Sequence, residues 1–205
     1  MKRQIHYKKP LASLFMQVLE KIRKEIAIQN VVCTADLKQK VDIASFNEYK
    51  HLSSNLDLYR CGYVKDSTMT GRVTVFASGK LISVGTKSPE QAFKESQKAG
   101  NILKKYKLIK KFEIIPKVQN IVARFDLGKK THLEELARTM PKSMYEPEQF
   151  PGLIFRIQDS CVALIFASGK GVLAGAKTIS ELNRGLFEVQ KWTNSNNLKN
   201  PILTN

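Results

Sequence analysis

Four segments of this chain recur at one fixed spacing, and that recurrence constrains the fold more than any other feature. Gln29-Asn30-Val31-Val32 returns as Gln119-Asn120-Ile121-Val122, and Asp36-Leu37 as Asp126-Leu127. Phe76-Ala77-Ser78-Gly79-Lys80 returns as Phe166-Ala167-Ser168-Gly169-Lys170, and Gly85-Thr86-Lys87 is answered by Gly175-Ala176-Lys177. Every pair is offset by 90 residues. One such match is coincidence; several at a single offset mark a duplication, one structural unit built twice. A chain of 205 residues then holds two small cores fused side by side.

Each unit reads the same way. A strand carrying Gln-Asn leads into a helix, clearest after Thr131, where Glu134 completes a capping box. Several strands follow, and Ser-Gly between two alternating apolar runs marks the last hairpin. A second helix opens on another capping box, Ser88 with Gln91 in the first unit and Thr178 with Glu181 in the second. Pro89 takes the first helical position, where its missing N–H costs nothing. The basic stretch Lys104, Lys105, Lys107, Lys110, Lys111, ending at Pro116, divides repeat 1 (28–115) from repeat 2 (116–193).

Ahead of the repeats, within 1–27, Leu11, Leu14, Phe15, Val18, Leu19, Ile22 and Ile26 share one face at helical spacing, with Pro10 near the start. This N-terminal helix either packs on the repeats or serves a partner or membrane surface. The segment 194–205 is polar and reads as a loose tail.

Composition narrows the function. Hydrophobic residues make up 42%, enough for a globular protein, and the formal charge of +16 points to a polyanionic partner. Nucleic acid is the first candidate and an anionic membrane surface the second. No run approaches the roughly 20 apolar residues of a membrane span, and the basic N-terminus lacks an apolar signal core. Cys33, Cys61 and Cys161 are far apart and odd in number, which fits reduced core thiols of an intracellular protein. His6, His51 and His132 lack ligand spacing, so neither a metal nor another cofactor is expected. No carboxylate cluster or nucleophile–base pair accompanies the repeats, which argues against an enzyme.

Alternation places particular residues together, because successive side chains of a strand face opposite ways. Asn30, Val32 and Thr34 share one face of the first strand, as Asn120, Val122 and Arg124 do in its copy. Thr74, Phe76, Ile82 and Val84 share a face across the last hairpin of repeat 1, and Leu164, Phe166, Val172 and Ala174 across that of repeat 2. The helices must cover one face of the sheet, and periodicity alone leaves open which. An apolar face with two central asparagines, two phenylalanines and flanking lysines makes a strange core but suits a nucleic-acid groove.

Two runs carry a resemblance. Tyr145-Glu146-Pro147-Glu148-Gln149-Phe150-Pro151-Gly152-Leu153-Ile154-Phe155-Arg156-Ile157 and Leu164-Ile165-Phe166-Ala167-Ser168-Gly169-Lys170 resemble the hallmark segments of the TATA-box-binding protein family. The resemblance spans about residues 28–192 and is stronger in repeat 2. It implies an α+β saddle of two pseudo-symmetric halves, a curved antiparallel sheet with helices on the convex face. The concave face would lie in the widened minor groove of A·T-rich promoter DNA, with one chain acting as a monomer inside the cell.

Site roles follow from the resemblance. Asn30 and Asn120 match central asparagines whose amides donate to adenine N3 and thymine O2. Val32, Val122, Ile82 and Val172 match residues pressed on the groove floor, where the guanine amine is unwelcome. Thr34, Val84, Leu164 and Arg124 line the same surface. Phe76 with a partner, and Phe166 with Phe150, match wedges that unstack a base step at each end; that mechanism belongs to the family and comes with the resemblance. Lys80, Lys87, Arg156, Lys170 and Lys177 match a ring of phosphate contacts. Glu146 and Glu148 match an acidic stirrup that meets transcription factor B, through which RNA polymerase is recruited.

The chain departs from this pattern in both repeats, most of all in repeat 1. The family's spacing makes Tyr59 the partner of Phe76 and puts Lys65 at a basic position. The internal offset of 90 gives Arg60 instead and aligns Gly62 with Gly152. Thr74 stands where repeat 2 has Leu164, Ala174 where a hydroxyl residue is common, and Arg124 where the family has a small residue. The acidic stirrup has no counterpart in repeat 1. A general initiation factor and a divergent paralogue serving a subset of promoters, or competing at them, both remain open.

Overall fold

Ten strands join into one curved antiparallel sheet in the computed structural model, which describes residues 26–195. The N-terminal helical pattern up to residue 25 and the tail from 196 lie outside the described residues. Ile26, the last position of that pattern, is instead the first residue of strand β1 (Ile26–Asp36). Repeat 1 continues through β2 (Leu52–Ser54), β3 (Cys61–Val64), β4 (Arg72–Phe76), β5 (Lys80–Thr86) and helix α1 (Pro89–Lys105). Repeat 2 runs through β6 (Lys117–Asp126), α2 (Leu133–Thr139), β7 (Ser143–Met144), β8 (Gly152–Arg156), β9 (Val162–Phe166), β10 (Lys170–Ala176) and α3 (Ile179–Ser195). Asn194 and Ser195, read from the sequence as tail, close α3.

The strand order β2-β3-β4-β5-β1-β6-β10-β9-β8-β7 reads the same outward in both directions from the central pair β1 and β6. The duplication is thus a pseudo-two-fold axis between those strands. Helix α1 lies across β5, β1 and β4, and α3 across β10, β6 and β9. Both cover the same side of the sheet, over Val73, Val75 and Leu81 in one core and Ile121, Leu153, Ile165 and Leu173 in the other. Alternation then leaves the opposite row of every strand uncovered.

The long helices start as their sequences dictate. Ser88 Oγ accepts from the Gln91 N–H and Thr178 Oγ1 from the Glu181 N–H, both at 3.1 Å. The returning side chains of Gln91 and Glu181 accept from the N–H of Lys87 and Lys177, one residue ahead of the cap. The third expected capping box does not form. Helix α2 begins at Leu133 after an N-cap, His132, that makes no side-chain cap bond, and Thr131 Oγ1 donates to the Phe166 carbonyl at 3.0 Å.

The offset of 90 breaks twice, in opposite senses. In α2 the Met140 N–H reaches the Leu136 carbonyl, an α-helical bond, whereas in repeat 1 the Tyr49 N–H reaches the Phe46 carbonyl. The helix expected there is a 3-10 turn (Ala44–Glu48), one residue tighter. Beyond it, matching positions lie 91 apart: Cys61 pairs with Phe76 as Gly152 pairs with Phe166. The β3–β4 turn, one residue longer than the β8–β9 turn, restores 90. Lys65 and Glu95 hold that longer turn from two sides. The Lys65 ammonium donates to the carbonyls of Met69, Thr70 and Gly71 at 2.6–2.8 Å, and the Glu95 carboxylate accepts from the Thr70 and Gly71 N–H groups.

Gly62 therefore matches Leu153 and not Gly152. A side chain at Gly62 would collide with the Phe46 ring, which fills in repeat 1 the core volume that Leu153 fills in repeat 2.

Candidate nucleic-acid interface

The uncovered face is built outward from its centre. Across β1 and β6, Asn30 faces Val122 and Val32 faces Asn120, a quartet about the pseudo-two-fold. The Gly85 N–H donates to Asn30 Oδ1, and the Gly175 N–H to Asn120 Oδ1, each at 2.8 Å. A backbone N–H can only donate, so the amide oxygens are assigned by their partners and both NH2 groups are left outside those bonds. Two pairs of donors thus stand on an otherwise apolar floor. Gln119 donates to Thr34 Oγ1 beside them.

From the centre, one row crosses each half. In repeat 2 it runs Arg124, Val172, Leu164, Ile154; in repeat 1, Thr34, Ile82, Thr74, Tyr63. All but exposed Arg124 are half-buried. The next positions are Val84 with Arg72 and Ala174 with Val162. Each half has a recess beside its row, lined by Phe76, Lys80, Ile82 and Thr34 in one and by Phe166, Lys170, Val172 and Arg124 in the other. Arg124 does share the face of Asn120 and Val122.

The outer ends differ. Phe150 and Phe166 form a tilted ring pair with centroids 5.9 Å apart. Gly152 makes room for it, since a β-carbon there would lie 2.8 Å from the Phe150 ring and 3.0 Å from that of Phe166. At the other end the strand register selects Tyr59 and not Arg60. The Tyr59 N–H bonds to the Asn55 carbonyl (3.0 Å) as the Phe150 N–H bonds to that of Glu146 (2.9 Å). Tyr59 is 68% exposed, and among the described residues no ring contact joins it to Phe76. Cys61 occupies Gly152's place with a side chain that is buried, on the side of the strand that Phe76 shares. Beside it Tyr63 has its pKa raised, first by the side-chain hydrogen bond with Cys61 and then by burial, and the Arg72 guanidinium lies 4.7 Å over the Tyr63 ring.

Around this face Lys80, Lys87, Arg156, Lys170 and Lys177 are exposed and, among the described residues, in no ion pair. Lys65, the counterpart of Arg156 at the 91 spacing, has its ammonium on the three turn carbonyls. Glu146 and Glu148 are exposed in the β7–β8 loop. That loop has a counterpart in shape after all, at Asn55–Tyr59, but with exposed Leu56 and Leu58 where repeat 2 has Pro147 and Gln149. The thiols of Cys33 and Cys161 are buried in the repeat 2 core, and burial lifts that of Cys33 to about 11.

Sequence reasoning missed Cys61, Tyr63 and Arg72, and the glycines that orient the asparagines. The shift from 90 to 91 hid the first two, while Arg72 stands at the restored spacing of 90 where repeat 2 has Val162. Anchoring the repeat on the Phe76 and Phe166 hairpins and counting back separately in each copy would have found them.

The family model described as "Transcription factor TFIID (or TATA-binding protein, TBP)" matches residues 25–106 and again 115–191. The TATA-box-binding protein of Cenarchaeum symbiosum is 41% identical over 164 residues, 79% of this chain and 90% of that one. That of Methanothermobacter thermautotrophicus is 34% identical over 166 residues, 79% and 91% of the two chains. Among solved structures, Methanococcus jannaschii TBP superposes with a TM-score of 0.74 at 31% identity, covering 83% of this chain and 99% of that one.

Proposed function

The chain belongs to the TATA-box-binding protein family, and from that premise we propose that it is a general transcription initiation factor that binds A·T-rich promoter DNA through the minor groove and bends it. The observation that carries the reading is the pair of asparagine amides, each held by a glycine N–H with its donors outward on an apolar floor. Minor-groove edges of A·T pairs offer only acceptors, adenine N3 and thymine O2. Donors at the centre, hydrocarbon around them and cations at the rim match that groove, and both halves are present in one chain, so a monomer suffices. With dyes on the two ends of a TATA-like duplex, energy transfer is expected to rise on binding at one protein per duplex. Saturation without that rise rejects the bend.

Glu146 and Glu148 extend the reading to a protein partner, transcription factor B, and through it RNA polymerase, in the DNA-associated compartment of the cell. The two carboxylates sit on a loop tip away from the groove-facing row. Charge reversal to Lys at both is expected to leave DNA affinity within about threefold while lowering recruitment of that factor at least about tenfold, since like charge opposite a basic partner is costly. Gel-shift titration with the purified factor separates the two effects.

Arg124 favours the second reading, a divergent member with relaxed promoter choice. A guanidinium on the groove-facing row is attracted by the negative potential of the minor groove whatever the bases. Arg124→Ser is expected to weaken binding to random DNA, to flatten the salt dependence by about one unit of slope, and to sharpen the preference for TATA-like over G·C-rich sites. An unchanged preference across a salt series would place Arg124 on a phosphate instead.

A further inference from the structure

The two halves present different chemistry to the outer base pairs. In repeat 2 the surface outward of Arg124, from Val172 to the wedge, is hydrocarbon: Val172, Leu164, Ile154 and Val162, ending on the Phe150–Phe166 pair with Gly152 beneath it. The matching surface of repeat 1 carries hydroxyls on Thr74 and Tyr63 and the Arg72 guanidinium over the Tyr63 ring, with the Cys61 thiol buried beside them. Ile82, Val84 and Phe76 keep the apolar character of Val172, Ala174 and Phe166.

This difference bears on one atom group. A G·C pair differs from A·T in the minor groove by the guanine amine, a donor that stands out from the floor. Against Leu164 and Ile154 that amine loses its water and finds no acceptor, which is the costly case of a buried unpaired donor. A Thr or Tyr hydroxyl both donates and accepts, so it can take the amine's hydrogen and equally donate to N3 or O2 of an A·T pair.

Resting on the minor-groove reading, we propose that repeat 1 tolerates a G·C pair in its outer half-site while repeat 2 excludes one, so that an asymmetric promoter is bound in one orientation. Tyr63 and Thr74 are the specificity-determining residues. The hydrocarbon half settles on the uninterrupted A·T half, and the hydroxyl half on the other.

The test compares duplexes with no G·C pair, one in a single outer half-site, and one in each. The wild-type chain can reverse to put repeat 1 over a single G·C pair, so that duplex is expected to bind within about threefold of all-A·T. The doubly substituted duplex leaves no such choice and should bind at least about tenfold more weakly, the usual cost of one wrong pair. Inosine for guanine, which removes only the amine, should restore it. Tyr63→Ile with Thr74→Leu installs the residues repeat 2 already uses; measured against its own all-A·T binding, it should lose at least about tenfold on the singly substituted duplex. If the wild-type chain binds the singly and doubly substituted duplexes equally, the polarity is wrong, whether or not the variant folds. If it neither binds nor bends the all-A·T duplex, the minor-groove reading itself falls.

Discussion

Converting both central asparagines to aspartate is expected to abolish measurable binding at moderate salt, a loss of at least about a hundredfold. The substitution isolates one function of the amide. Its oxygen accepts from the Gly85 or Gly175 N–H at 2.8 Å, and a carboxylate oxygen of the same size keeps that bond, so the fold has little reason to change. What changes is the outward atom. Two NH2 donors become two anionic oxygens facing base-edge acceptors between rows of phosphates. Each lost donor pair costs about 1–2 kcal/mol, and like-charge repulsion adds to it. At 1.4 kcal/mol per decade the sum exceeds two decades. Fluorescence anisotropy against a TATA-like duplex measures the loss, and thermal melting checks the fold. Affinity within tenfold of wild type would show that the quartet does not face the bases.

Removing the ring pair of repeat 2 is expected to have the next largest effect, and an unequal one. Phe150→Ala with Phe166→Ala takes away both rings of the only close aromatic pair on this face among the described residues. Base–aromatic stacking is worth about 1–3 kcal/mol per base, so the double variant should lose at least about thirtyfold in affinity and a large share of the bend. Both side chains are half-buried on the uncovered face, so the cores should survive. Tyr59→Ala should cost much less, because Cys61 stands where Gly152 admits the rings and no ring contact joins Tyr59 to Phe76. A fluorescent base analogue at either kinked step reads each end separately. Equal losses at the two ends would show that Tyr59 acts on its base step as the Phe150–Phe166 pair does.

Much of this molecule was legible before any coordinates. The duplication, the strand faces of Asn30, Val32, Asn120 and Val122, the Ser-Gly hairpins and the caps at Ser88 and Thr178 are local. They depend on side-chain alternation and on bonds between residues three or four apart. Even the odd position of Arg124 on the uncovered face was readable, since a strand of known period leaves its side chain only one face to take.

Tertiary structure decided what depends on distant residues. Which face the helices cover is a matter of how α1 and α3 return across the sheet, and alternation is blind to it. The orientation of the asparagine amides comes from glycines 55 residues away. The one-residue slips, a 3-10 turn in place of an α-helical one and a longer β3–β4 turn, are absorbed where no side-chain pattern records them. Only hydrogen-bonded register reveals that Tyr59 stands where Phe150 stands and that Gly62 makes space for Phe46. Sequence determines what each short segment does by itself. Register, coverage and contact are set by the free energy of the assembled sheet, where residues far apart in the chain compete for the same space.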